Sequence, residues 1–163
     1  MDDAITIRPA TDADRARLGI MAGKLVRLHH AFDSLRFLRL DDVEEGYGRW
    51  LVKESANARA IVLVAERAEA GGSAIVGYLY GALAERSYND LRDACGYVHD
   101  VWVEADARRQ GTAQALLDRA CTFFREKRMP RVVLMTASPN DSAQKLFAAA
   151  GFRSTMIEMT KEL

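Results

Sequence analysis

Between Gly96 and Ala137 the chain runs from a short apolar stretch, through a loop rich in arginine and glycine, into an apolar stripe and then a second apolar stretch. In GYVHDVWV, Tyr97, Val98, Val101, Trp102 and Val103 supply apolar groups to both faces, the pattern of a strand covered on both sides. Ala113, Leu116, Leu117, Ala120, Cys121 and Phe124 then recur at i, i+3, i+4, i+7, i+8 and i+11, one stripe of an amphipathic helix that must stop before Pro130. RVVLMTA follows as another strand. A strand, a helix and a strand in this order predict a right-handed parallel crossover. Simple alternation along the first strand puts His99 on the face of Tyr97 and Val101, and Asp100 on the face of Val98 and Trp102.

The remainder supplies neighbours for that unit. Ile5 to Arg8 reads as a strand ended by Pro9, and Thr11 or Asp12 can cap a helix reaching about His30. Asp41 or Asp42 can cap a second helix carrying Val43, Tyr47, Trp50 and Leu51. ARAIVLVAE and SAIVGYLYGALA, divided by Gly71 and Gly72, predict a hairpin. Asn140 or Asp141 caps a short helix ending at Gly151, and FRSTMIEMTKEL is expected as a closing strand. The prediction is one α/β domain over residues 1–163 with a mixed sheet and flanking helices.

Its 163 residues are enough for one core, burying roughly 70% of the unfolded surface. The 23 basic side chains balance 23 acidic ones, which argues against a bulk nucleic-acid binder. Two cysteines without a CxxC pair or a Cys/His cluster argue against structural zinc, so no metal is expected. The start of the chain lacks the pattern of a secretory signal, and no apolar run reaches membrane-spanning length, so the expectation is a soluble, cytoplasmic protein without a membrane partner.

ARRQGTAQALL has the chemistry of an anion site. The first N–H groups of a helix lack internal acceptors and carry partial positive charge. Gly111 lets a ligand approach the backbone, and Arg108 and Arg109 can add charge-assisted hydrogen bonds to phosphate. Neither the nucleoside-triphosphate P-loop pattern nor the dinucleotide glycine fingerprint is present. The same residues would also suit a solvated surface loop.

VWVEADARRQGTAQALL resembles the acetyl-CoA signature of the GNAT superfamily of N-acetyltransferases, with Arg108, Gly111 and Ala113 on its Arg/Gln-x-x-Gly-x-Gly/Ala positions. NDSAQKLFAAAGF resembles a later segment of the same superfamily through Asn140, Ala143, Leu146, Phe147, Gly151 and Phe152. The resemblance implies a GNAT-like, mostly antiparallel sheet with a splayed parallel strand pair at its centre. It also implies acetyl-CoA as co-substrate, its pyrophosphate on Arg108, Arg109, Gln110, Gly111, Thr112 and Ala113 and its pantetheine beside Val101, Trp102 and Val103. Asn140, Ala143 and Phe147 would stand near the cofactor arm, and the Val101 or Val103 N–H would face the acetyl oxygen.

The implied reaction is direct attack on the acetyl group by a primary amine of a small molecule or peptide. It needs a base to free the nucleophile. His99 and Asp100 are the candidates, because they interrupt an otherwise apolar strand; Glu104, Glu158 or water are the alternatives. Phe147 departs from the Tyr that many members carry as acid, which leaves Tyr78, Tyr80, Tyr88, Tyr97 or water for that role. Acidic groups among Asp33, Asp41, Asp42, Glu44 and Glu45, near His29 and His30, are available to hold a cationic acceptor. A non-catalytic acyl-CoA-binding or sensing module is the alternative function. The terminal strand and the resemblance allow a homodimer.

Overall fold

A computed structural model describes residues 4–163; the first three residues of the expected domain lie outside the described residues. Five strands form one sheet in the order β1-β2-β3-β4-β5. They are β1 Ile5–Pro9, β2 Ala60–Glu69, β3 Gly72–Ala84, β4 Cys95–Val103 and β5 Val132–Leu134. Pairing is antiparallel from β1 through β4 and parallel between β4 and β5. The helices are α1 Arg15–Phe32, α2 Glu44–Ser55, α3 Thr112–Glu126 and α4 Asp141–Ala149. The α/β class and the mixed, mostly antiparallel sheet agree with the sequence prediction, and α3 connects β4 to its parallel neighbour as expected.

The sheet carries a core on each face. On the α3–α4 face, Leu63, Leu79, Val98, Val103, Leu116, Leu117, Phe124 and Phe147 pack together. On the α1–α2 face, Leu18, Met21, Leu51, Val62, Val64, Tyr78 and Tyr80 do so. The alternation of β2 sorts its residues between the two, with Leu63 on one side and Val62 and Val64 on the other. Gly96 is needed where β4 passes under α3, since a Cβ there would lie 2.3 Å from Phe124 Cγ. The α1–α2 crossing is similarly tight, with a Cβ on Gly19 falling 2.0 Å from the Glu44 carbonyl oxygen.

Several local expectations are corrected. Thr11 precedes a short 3-10 turn over Asp12–Asp14 rather than opening α1 directly. Its N–H and hydroxyl both donate to Asp14, which Arg8 also pairs, so the chain entry is held by one carboxylate. Val43, not Asp41 or Asp42, occupies the cap position of α2. The apolar run RVVLMTA pairs only over Val132–Leu134. The expected closing strand is absent: residues 152–163 form no regular element, and Met156, Ile157 and Met159 are exposed. An alternating pattern offers strand propensity, but a strand exists only where a neighbour accepts its backbone hydrogen bonds.

The largest correction concerns β4. Tyr80 of β3 faces Asp100 while Gly81 faces Val98, so His99 is an extra residue, a β-bulge. The bulge reverses the alternation downstream of Val98. Val98, Val101 and Val103 pack on the α3–α4 face, whereas Trp102 packs with the α1–α2 core and Asp100 reaches Tyr78 there. His99 stacks on Tyr80, a residue of that same core. His99 and Asp100 therefore share a side of the sheet instead of facing apart.

Candidate active site

The parallel pairing of β4 with β5 ends at Val98 and Leu134, immediately before the bulge. From His99 onward the two strands separate, and a cavity of about 50 Å³ opens between them. Val98, His99 and Val101 of β4, Leu134 to Thr136 beyond β5, Asn140, Ala143 and Phe147 of the α4 region, and Leu25 and His29 of α1 line it. The splay expected from sequence is thus present, but β5 is the last strand of the sheet, so the parallel pair stands at its edge and not at its centre. Among the described residues no strand pairs with Val101–Val103 on that side.

His99 lies between two aromatic rings, with centroids 5.1 Å from Tyr80 and 4.5 Å from Tyr97 and both pairs close to parallel. The faces of the imidazole are covered while its edge is exposed. Burial pushes its pKa below the ordinary 6.5, so the ring is neutral at neutral pH. Among the described residues, neither ring nitrogen has a hydrogen-bond partner. A neutral imidazole held edge-on to a cavity, with its lone pair available, can accept a proton.

Asp100 is buried, and its Oδ2 accepts hydrogen bonds from Tyr47 at 2.8 Å and Tyr78 at 3.1 Å. Burial raises its pKa, against the opposing effect of these two donors. The burial of Tyr47 and Tyr78 and the Asp100 charge push both phenols well above their usual range. The trio ties α2 to β3 and β4 on the side where His99 projects. Glu104 serves another purpose: burial opposes its ionisation, but Lys24 and Trp102 as hydrogen-bond donors and the charge of Arg17 hold its carboxyl below the usual range. Glu158 pairs with Arg36 on the surface and does not line the cavity.

Beyond β4 a short turn over Ala105–Ala107 leads to Arg109, whose φ is +63°, and to Gly111, the cap residue of α3, whose φ is +80°. A Cβ on Gly111 would meet nothing within 4 Å, so this backbone faces open space. Thr112 is buried and its hydroxyl donates to the Ala107 carbonyl, while Gln110 donates to the Asp106 carbonyl, bracing the loop from inside. Among the described residues, the N–H groups of Arg109 to Ala113 have no acceptor; the first bond of the helix runs from Ala115 to the Gly111 carbonyl. These groups form the positive, unobstructed helix start that the sequence predicted.

The other predicted residues are distributed as follows. Arg108 turns back along β4, its Nε donating to the Val103 carbonyl at 2.8 Å and its guanidinium 5.3 Å from the Trp102 ring centroid. Asn140 caps α4 by accepting from the Ala143 N–H, and also lines the cavity. Phe147 is buried on the cavity wall, near Phe152. Tyr88 is exposed on the β3–β4 connection, away from the cavity lining.

The expected acidic acceptor patch is largely self-neutralised. Glu44 pairs with Arg27, Asp41 with Arg39 and Glu45 with Arg49, while Asp33 accepts from backbone N–H groups of Leu35 and Arg36. Sequence reasoning offered Tyr80 and Tyr97 only as candidate acids and gave Tyr47 no role here; the structure stacks the first two on His99 and makes Tyr47 a donor to Asp100. The signal available was Tyr97 two residues before His99 on the same strand and Tyr80 on the strand paired with it; nothing in the sequence links Tyr47, on α2, to Asp100.

A family model described as the acetyltransferase (GNAT) family matches residues 27–152. The chain belongs to this family of acetyltransferases. Solved structures with the same fold include the BH1408 protein from Bacillus halodurans, as a tetramutant, with TM-score 0.81 and 17% identity over 97% of this chain and 99% of that one. Aminoglycoside N-acetyltransferase AAC(6')-Iy, bound to a bisubstrate analogue joining CoA to an acetylneamine, gives TM-score 0.74 and 17% identity over 98% of each chain. Glucosamine-6-phosphate N-acetyltransferase from Arabidopsis thaliana gives TM-score 0.69 and 16% identity over 98% of each. At these identities the likeness carries the fold. Among curated proteins none matches the sequence significantly. Among the described residues no helix is long and apolar enough to cross a membrane, and no cluster of three or more His, Cys, Asp or Glu side chains is arranged to hold a metal ion.

Proposed function

We propose that the chain transfers acetyl from acetyl-CoA to a primary amine by direct attack. The observation that carries this reading is the continuity of two features: a helix start with unpartnered N–H groups at Arg109 to Ala113, and a strand edge, Val101–Val103, left open where β5 departs. The first suits a pyrophosphate, and the second suits an arm that bears amide groups. The edge leads to the cavity where His99 stands. Acetyl-CoA would supply an acyl thioester, a carbonyl already activated toward amines.

His99 takes the role of base. A primary amine is mostly protonated at neutral pH, so its nucleophilic form must be generated in the site. An imidazole neutral at that pH accepts the proton, and its exposed edge passes it to solvent. Tyr80 and Tyr97 hold the ring in orientation. Asp100 has its Oδ2 committed to two phenols and acts as a positioning residue that fixes the geometry of the bulge. The structural neighbours named for aminoglycosides and glucosamine 6-phosphate make amino sugars the first acceptor class to screen, followed by polyamines and peptide N-termini.

Calorimetric titration with acetyl-CoA and with ATP as comparator, followed by thiol release in the presence of that amine panel, tests the reading. Micromolar binding of acetyl-CoA but not ATP, with amine-dependent thiol release, is expected; absence of binding by folded protein overturns it. Phe147, which offers no hydroxyl on the cavity wall, favours a second reading as a non-catalytic acyl-CoA-binding module. Binding without thiol release from any amine would select it.

A further inference from the structure

The cavity beside His99 has a second imidazole on its wall. His29 comes from the last turn of α1, and its Nδ1 lies 2.9 Å from the Leu25 carbonyl oxygen. A carbonyl oxygen can only accept, so Nδ1 carries the hydrogen and, in the neutral ring, Nε2 holds a lone pair. Nε2 has no hydrogen-bond partner among the described residues. Phe37 at 5.1 Å and Phe32 at 6.1 Å pack against the ring and fix its plane. His29 is half-buried, whereas His99 is exposed. The titratable groups near it are His99, which lines the same cavity, and the buried Asp100 of β4. On the loop side Arg36 lies over Phe37 and is paired with Glu158.

Resting on the acetyltransferase reading, we propose that His29 is a second catalytic proton carrier, working from the α1 wall of the cavity that His99 also lines. The proton balance calls for one. An ammonium acceptor loses one proton to become nucleophilic. Attack forms the C–N bond, breaks the C–S bond and leaves a second proton to be lost from nitrogen. The departing sulfur takes up one proton, and one goes to solvent. With Phe147 unable to donate, the sulfur needs another source. His99, with its exposed edge, takes the first proton and gives it to water. His29, half-buried and lining the cavity together with Leu25, Val101, Leu134 and Phe147, takes the second and returns it to the sulfur within the same cavity.

The three histidines, His29, His30 and His99, make the test tractable. Imidazole nitrogen NMR of the ligand-free protein, assigned with His→Gln variants, should show the His29 hydrogen on Nδ1, where the Leu25 carbonyl accepts it; a ring with its hydrogen on Nε2 alone overturns the proposal. In kinetics, His29→Gln should lose about 10²-fold in kcat with the KM for acetyl-CoA unchanged. Its deficit should persist as pH rises. His99→Ala should instead recover at high pH, where the amine deprotonates unaided. His30→Gln, whose Nδ1 lies 3.0 Å from the Phe37 carbonyl and which does not line the cavity, should behave as the unaltered protein. His29→Gln activity within twofold of the unaltered protein, or recovery at high pH like His99→Ala, overturns the proposal while leaving the acetyltransferase reading intact. Failure of the unaltered protein to release thiol removes both. Thermal melting of each variant confirms that the comparison is between folded proteins.

Discussion

The two faces of β4 are built by different means. Toward α3 and α4 the strand meets a dry apolar layer in which Val98, Val103, Leu116, Leu117 and Phe124 are fully or nearly fully buried. Toward α1 and α2 it meets a layer with polar groups inside it: Asp100 held by Tyr47 and Tyr78, and Glu104 held by Arg17 and Lys24. The apolar face gains stability from area and shape, and it supports the start of α3, whose first N–H groups have no acceptor among the described residues. The polar face gains less per side chain, because each buried carboxylate carries a desolvation cost offset by its donors. In return it fixes the orientation of the chain around the bulge at His99.

If that contrast is right, steric insult to the apolar face should have the largest effect. Gly96→Val would drive a side chain into the Phe124 ring and is expected to cost about 3 kcal/mol, read as a fall in the denaturant midpoint. A loss below about 1 kcal/mol would mean that this face is looser than its packing indicates. On the polar face, Asp100→Ala leaves one buried and one half-buried phenol hydroxyl, those of Tyr78 and Tyr47, without their acceptor, a cost of about 1 to 3 kcal/mol. Turnover in that variant should fall through disorder at His99, whereas Asp100→Asn should retain more of both.

Gly111→Val tests whether the apolar face is only a platform for the anion site. A β-branched residue at φ +80° carries local strain of about 1 to 2 kcal/mol, and the side chain would project into open space before the N–H groups. Acetyl-CoA affinity should drop at least about tenfold, equivalent to about 1.4 kcal/mol, while the core melts nearly as before. An unchanged dissociation constant in folded protein would refute the cradle. The pH profile of kcat/KM should show an acidic limb centred below 6.5, because the His99 pKa is depressed, and His99→Ala should abolish that limb.

The smallest effect is expected at Glu104. Its partners are each more than a third exposed, so Glu104→Gln should cost no more than about 1 kcal/mol near neutral pH. The Glu104 pKa is depressed below 4.5 in the folded state, so on acidification the unfolded chain takes up the proton first. The stabilisation is therefore present above 4.5 and disappears as pH falls through the folded value. The difference between the unaltered protein and Glu104→Gln, followed by chemical denaturation, should shrink over that range.

Much of the apolar architecture was legible in the chain. The stripe from Ala113 to Phe124 has the helical period, the two-sided apolar run of β4 marks a central strand, and Gly111 before that stripe marks a helix start open to an anion. These features are local: each depends on side-chain spacing along one element and on the backbone freedom of one glycine. The role of the acidic residues near α2 was not legible in this way, since charges in a sequence do not reveal that Arg27, Arg39 and Arg49 will pair with them.

The sequence by itself determined the order of elements as far as α4, the apolar stripe of α3 and the chemistry available at the start of that helix, because short-range periodicity and propensity carry them. Only the tertiary structure decided that His99 is an extra residue in the β3–β4 ladder. Alternation is a rule of period two, and a single unpaired residue inverts it for every side chain beyond. Whether that residue is tolerated depends on the partner strand, on Tyr80 and Tyr97 enclosing its ring, and on Tyr47 and Tyr78 accommodating Asp100. The same dependence on neighbours left the alternating tail from Phe152 to Leu163 without a strand, and brought His29, seventy positions from His99, to the wall of the same cavity.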